Sequence, residues 1–163
     1  MLKKITLVLI FFSLLSCNSK AQQTKDKKEY EVVKTEAQWK AELSELEFYV
    51  LRKAGTEPPF SSPLDKNYAP GTYHCRGCGT FLYSSKHKFD SGTGWPSFDR
   101  GKNEHLEFDV DYKIGYARTE LKCANCGGHL GHKFDDGPRN TTGNRHCING
   151  AALTFKPKKD EPK

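Results

Sequence analysis

The six cysteines are the side chains of this chain best equipped for chemistry, and their spacing sorts them into three kinds. Cys75-Arg-Gly-Cys78-Gly79 and Cys123-Ala-Asn-Cys126-Gly127 repeat one design. Two residues between thiolates let both sulfurs face a single ion, and the glycine that follows can take positive φ without steric cost. Two such knuckles supply the four sulfurs of a closed tetrahedral Zn²⁺ shell, which holds a fold together and does no chemistry itself. Two disulfides, or a pair of thioredoxin-like redox motifs, are the alternatives. The doubled spacing favours one shared structural zinc, with Cys75, Cys78, Cys123 and Cys126 as ligands.

Cys147 has no companion. A lone cysteine is usually packing material, but here Arg145 lies two positions away and shares its face in a strand. A fixed positive charge there favours the thiolate, so a lowered pKa and a reactive sulfur are expected. Asn149 falls on the same face. His129 and His132 follow the second knuckle and are left free, since four cysteines already fill the metal shell.

These residues need a scaffold. Thr35-x-x-Gln38 and Ser44-x-x-Glu47 are capping boxes that predict two short helices, the first carrying Trp39 and Leu43, the second Phe48, Val50 and Leu51. Gly55 is expected to end the second helix in a left-handed conformation. The proline-rich stretch "TEPPFSSPLD" can be neither helix nor central strand and should wrap the surface. From Tyr73 onward the pattern is β. Leu106, Phe108, Val110, Tyr112, Ile114 and Tyr116 occupy alternate positions, which predicts a strand or hairpin with one buried face. "TFLYSS" and "AALTF" repeat the alternation more briefly. The fold class expected is mainly β and antiparallel, behind short N-terminal helices.

The ends of the chain carry other signals. "MLKKITLVLIFFSLLSC" has a charged start and an apolar run too short to span a bilayer, closing on Leu14-Leu15-Ser16-Cys17. Residues 1–16 are expected to be a lipoprotein signal peptide and Cys17 the acylated residue, with 17–34 a flexible tether, 35–155 the domain and 156–163 a basic tail. The expected location is the cell envelope, as an exported, membrane-anchored protein, on the periplasmic face if the cell is Gram-negative. The formal charge of +6 resides in the lysine-rich ends, while Thr35 to Phe155 holds equal numbers of basic and acidic side chains. That balance argues against nucleic acid as a partner.

Read in order, "GTEPPF", "YHCRGCG", "FDSGTGWPSF", "CANCGGHLGHKFDDGP" and "NRHCINGAALTF" resemble the motifs of the methionine sulfoxide reductase B family. The resemblance covers about Trp39 to Phe155. It implies a β-tent of two antiparallel sheets with a structural zinc, and a reductase for the R epimer of methionine sulfoxide, protein-bound and free. It places the nucleophile on Cys147 and the other site residues on Trp95, His129, His132, Asp136, Arg145 and Asn149. Trp95 offers an aromatic wall for the sulfoxide's methyl group, while His132 donates the proton and Asp136 orients it. His129 completes the network. Attack by Cys147 leaves a sulfenic acid on the enzyme.

The chain departs from the family at two positions. Many members carry a resolving cysteine within the segment that here reads Ser91-Gly92-Thr93-Gly94-Trp95; Thr93 stands in its place, so an external thiol, thioredoxin-like or other, is the expected reductant. His146 stands where an aromatic is common, and its side chain should point away from Cys147. Oxidised proteins or peptides are the expected substrates, and a monomer is the expected state. A non-catalytic zinc module and a thiol peroxidase are the competing readings.

Overall fold

The computed structural model describes residues 28–159. The signal segment, Cys17 and most of the tether lie outside those residues. Among the described residues no helix is long and apolar enough to cross a membrane.

Both capping boxes form. In α1 (Glu36–Glu42) the Thr35 hydroxyl accepts the Gln38 N–H, and the Gln38 side chain accepts the Thr35 N–H. In α2 (Glu45–Lys53) Ser44 and Glu47 make the same exchange. Each closes two otherwise open N–H groups, which lets helices of only two turns persist. Trp39, Phe48, Val50 and Leu51 are buried beneath them. The stop of α2 differs from expectation: Ala54, not Gly55, takes the left-handed conformation (φ 49°, ψ 44°). Gly55 lies against the exposed Tyr49 ring, which a Cβ there would have to displace, since it would lie 2.2 Å away.

Among the described residues nine strands follow: β1 (Gly71–Cys75), β2 (Phe81–Ser84), β3 (Lys88–Phe89), β4 (Ser97–Phe98), β5 (Leu106–Asp111), β6 (Arg118–Cys123), β7 (His129–Phe134), β8 (Arg145–Ile148) and β9 (Leu153–Pro157). They form two antiparallel sheets, one ordered β2-β1-β9 and one ordered β3-β4-β8-β7-β6-β5. Tyr73, Tyr83, Phe98, Leu121, Leu130 and Ile148, all fully buried, join the helices' apolar faces in one core. The Tyr83 and Phe98 rings stack at 4.3 Å, and Tyr73 meets Phe98 edge-on at 5.0 Å.

The chain before Thr35 is in contact with the domain. Val32 donates its N–H to the Asn125 carbonyl, and the Tyr30 ring lies against Gly127. Lys28 pairs with Glu107 of β5.

The long alternating segment does not bury a face. It forms the β5–β6 hairpin, with Leu106 buried, but Phe108, Val110, Tyr112, Ile114 and Tyr116 are 47–68% exposed. The physical reason is position. β5 is the outermost strand of its sheet, and Tyr112, Ile114 and Tyr116 lie beyond the last rung of its ladder, Asp111 opposite Arg118.

Candidate active site and metal centre

The two knuckles converge as their spacing implies. Gly79 and Gly127 take φ 77° and 69°, and each donates its N–H to the first cysteine carbonyl of its own turn. The four sulfurs lie within 4.8 Å of one another, with Cys75 and Cys126 at 3.7 Å and Cys78 and Cys123 at 3.5 Å. A tetrahedron with metal–sulfur bonds of about 2.3 Å has edges of about 3.8 Å. The donor set therefore fits a tetrahedral metal ion. Arg52 of α2 donates to the Cys126 carbonyl at 2.9 Å, which ties the helical layer to this centre.

Cys147 lies mid-strand in β8, between two neighbours that fix its company. Ser97 of β4 is its partner on one side and His132 of β7 on the other. Residues directly opposite in an antiparallel pair share a face and bring their Cβ atoms to about 5 Å. The approach of β7 to β8 requires Gly131, because a Cβ there would lie 2.0 Å from the Cys147 carbonyl oxygen. Cys147, His132, Trp95 and Asn149 line one cavity of about 120 Å³, together with Thr56, Phe134 and Arg118. Four of the predicted residues thus meet around one small, open cleft. Arg145 and Asp136 stand at its side. His129 lies behind His132, their ring centroids 5.3 Å apart, and does not line the cavity.

The charged groups are wired differently from expectation. Asp136 does not orient His132. It forms a two-pronged pair with Arg145, at 2.8 Å from Nε and 2.8 Å from the terminal nitrogen, while the guanidinium covers the Phe134 ring at 4.4 Å. His132 is held instead by Asp111 at the end of β5, with Nε2 to carboxylate oxygen at 2.9 Å. The Lys113 N–H, His132 and Arg118 together hold the Asp111 carboxyl down to about 2. It is therefore ionised and can only accept, so Nε2 of His132 donates and Nδ1 is the unprotonated ring nitrogen. Burial pushes the His132 pKa below its ordinary value despite that carboxylate, which makes the resting imidazole neutral near pH 7. His129 passes its Nδ1 to Glu120 at 2.6 Å, and its buried Nε2 has no partner.

The Cys147 pKa also departs from the expected direction. Burial raises it, and this outweighs the opposing pull of the Arg145 charge and of Thr93. Spacing revealed the arginine but not the depth of the sulfur. Thr93 lies under that sulfur, its hydroxyl 4.0 Å from Sγ, at the head of a hydroxyl chain through Ser91 (2.8 Å) to Ser97 (2.7 Å). His146 faces the other side of the sheet, its Nδ1 at 3.3 Å from the Tyr83 hydroxyl.

Four residues that hold or line the candidate site were not singled out from the sequence: Glu57, Asp111, Arg118 and Glu120. Glu57 is the most connected. It is buried, and its carboxylate accepts the N–H groups of Gly150 and Ala151, capping the turn that follows Asn149. Its own N–H donates to Asn149 at 3.0 Å, and its carbonyl accepts Nε1 of Trp95 at 3.1 Å. One residue of the proline-rich loop thereby fixes two walls of the cavity. An acid directly before two prolines, in a stretch whose one other charge is Asp65, was the available signal. Asp111 and Glu120 are visible only once β5, β6 and β7 are known to be neighbours.

Comparison with known proteins agrees with this arrangement. The chain matches the SelR domain family over residues 43–157. It is 49% identical over 142 residues to "Peptide methionine sulfoxide reductase MsrB" of Bradyrhizobium diazoefficiens, covering 86% of this chain and 99% of that protein. It is 49% identical over 127 residues to the protein of the same name in Leptospira interrogans, covering 77% and 96%. The chain belongs to the methionine sulfoxide reductase B family. It is accordingly an oxidoreductase. A more distant member, "Methionine-R-sulfoxide reductase B3, mitochondrial" of Mus musculus, is 43% identical over 87% of this chain and 56% of its own length.

A partly buried, protonated Cys147 gives a pH signature. Alkylation of Cys147 by iodoacetamide without substrate is expected to be slow near neutral pH and to rise with a midpoint above the ordinary thiol range. Arg145→Met should move that midpoint higher still. A midpoint well below the usual thiol value of about 8.5 would contradict the balance of burial and charge.

Proposed function

We propose that this methionine sulfoxide reductase B reduces the R epimer of methionine sulfoxide, in peptides and as the free amino acid, with Cys147 as nucleophile. The observation that carries the reading is the row Ser97, Cys147, His132 across three strands, opening on a cavity walled by Trp95 and Asn149.

The sulfoxide's methyl group lies against Trp95, whose ring Glu57 holds in place. Asn149 is fixed by Glu57 and Leu130 and presents a polar group to the substrate. The resting proton sits on the Cys147 sulfur. Neutral His132 takes it through Nδ1, and Asp111 stabilises the imidazolium so formed. The Arg145 guanidinium, steadied by Asp136, stabilises the thiolate. Sγ then attacks the sulfoxide sulfur while the imidazolium returns the proton to the sulfoxide oxygen. The balance closes: the attack forms a bond between Sγ and the methionine sulfur, and the protonated oxygen then passes to Sγ as the sulfur–oxygen and sulfur–sulfur bonds of that adduct both break. Two electrons move from the cysteine sulfur to the methionine sulfur, leaving Cys147 as a sulfenic acid. Methionine leaves. His129 and Glu120 support the ring of His132 from behind.

The sulfenic acid needs a reductant. A hydroxyl at Thr93 cannot form a disulfide, and the remaining cysteines among the described residues are the four clustered ones. An external thiol, thioredoxin-like or other, therefore returns Cys147 to the reduced form. The cluster of Cys75, Cys78, Cys123 and Cys126 would hold one structural Zn²⁺, which when bound locks both knuckles and supplies no step of the reaction. A Cys17 lipid anchor would place a monomeric domain at the cell envelope, where oxidised envelope proteins are the substrates for repair.

The direct test is a stereospecific assay of the purified protein with dithiothreitol as reductant. The R epimer is expected to turn over and the S epimer not, and Cys147→Ser should remove even a single turnover. Activity in that variant would refute the nucleophile. The position of Thr93 supplies a second test. Thr93→Cys brings a thiol under Sγ, so one turnover in the absence of reductant should end in a disulfide between that introduced thiol and Cys147, detectable as a cross-linked peptide. A variant that instead accumulates sulfenic acid would show that residue 93 does not reach the reacting sulfur.

A further inference from the structure

We propose that the tip of the β5–β6 hairpin, Tyr112, Ile114 and Tyr116, is a docking surface for unfolded, apolar segments of oxidised polypeptides, delivering their methionine sulfoxide to the Cys147 cavity. The proposal rests on the reductase reading and extends it from the reacting side chain to the polypeptide around it.

Three large side chains, each at least half exposed, stand at alternate positions of one short loop. A folded domain gains nothing for its own stability by holding such groups in water, and a cluster of them marks an interaction site. The tip's place in the fold selects the partner. At its base the ladder ends on Asp111 opposite Arg118. Asp111 holds His132, and Arg118 lines the cavity. On its other side the tip is pinned to the end of α2, where Nζ of Lys113 donates to the Ala54 carbonyl at 3.0 Å. Thr56, two residues further on, is also cavity lining. The apolar tip is thus anchored on both sides to residues of the cavity rim, and a chain that inserts a side chain toward Cys147 passes along it.

The geometry also favours an extended partner. β5 is the outermost strand of its sheet among the described residues, so the hairpin tip stands at the sheet's margin, where an extended segment can run alongside it. Apolar flanks are the natural match, because methionines surrounded by hydrophobic residues are packed away in a native protein and reach this surface only when the segment is unfolded. Compact, free methionine sulfoxide enters the cavity without touching the tip.

The experiment compares the full chain with Tyr112→Ser/Ile114→Ser/Tyr116→Ser on three substrates: free methionine-R-sulfoxide, a peptide with the sulfoxide flanked by Leu and Val, and one flanked by Gly and Ser. The unaltered chain is expected to prefer the apolar peptide. The triple variant should lose about tenfold in kcat/KM on that peptide alone, mainly through KM, with the free amino acid unchanged. Equal losses on all three substrates, or no loss on any, would overturn the proposal. So would intact peptide kinetics accompanied by lost self-association in light scattering or lost binding to phosphatidylglycerol vesicles, which would assign the tip to a second copy or to lipid. An unaltered chain that turns over none of the three would bring down the reductase reading itself, a different result from the failure of the tip.

Discussion

The antiparallel register of β4, β8 and β7 is the constraint on which the site depends. It sets Ser97, Cys147 and His132 in one row, and a slip of one residue would turn the sulfur to the face now held by His146. Several features defend that register. Gly131 admits the Cys147 carbonyl where any side chain would collide. Buried Ile148 and Leu130 anchor their strands in the core. Glu57 caps the turn after Asn149, so the exit of β8 is fixed as firmly as its middle. The cysteine cluster at the far end joins the loop after β1 to the loop after β6, and so locks one sheet to the other.

Burial governs the electrostatics of the row. Sequestering Cys147 keeps its proton on sulfur, and sequestering His132 keeps its ring neutral, so both uncharged forms coexist in the resting site. The charges that would favour the ionised pair are present but stand back: Arg145 beside the thiol, Asp111 behind the imidazole. A single proton transfer between the two residues creates a thiolate facing a guanidinium and an imidazolium facing a carboxylate. In the proposed mechanism this arrangement would store the proton for the sulfoxide oxygen and limit adventitious oxidation of an exposed thiolate.

Much of this was legible in the chain, and the limits of legibility are physical. The helices could be read because a capping box is a local interaction, complete within four residues. The metal centre could be read because each knuckle is local and the two are alike. The motifs around Trp95, His132 and Cys147 carried the family. What failed depended on neighbours distant in sequence. Asp136 was assigned to His132 from the family's motif, whereas the carboxylate that holds the ring, Asp111, arrives through the order β5-β6-β7. The alternation from Leu106 to Tyr116 looked like a buried face because periodicity reports which residues share a side, not whether anything covers it. The sign of the Cys147 shift needed the depth of the sulfur, which spacing does not contain.

The account stands on one oxygen atom ending on one sulfur. Its most direct test is intact and peptide mass spectrometry of the reduced protein after one equivalent of methionine-R-sulfoxide without added thiol. The expected result is one methionine released per chain, one oxygen gained on Cys147, and four unmodified cysteines in the cluster of Cys75, Cys78, Cys123 and Cys126. Release of methionine with a disulfide between Cys147 and Cys75, Cys78, Cys123 or Cys126, or with Cys147 unchanged, would contradict it.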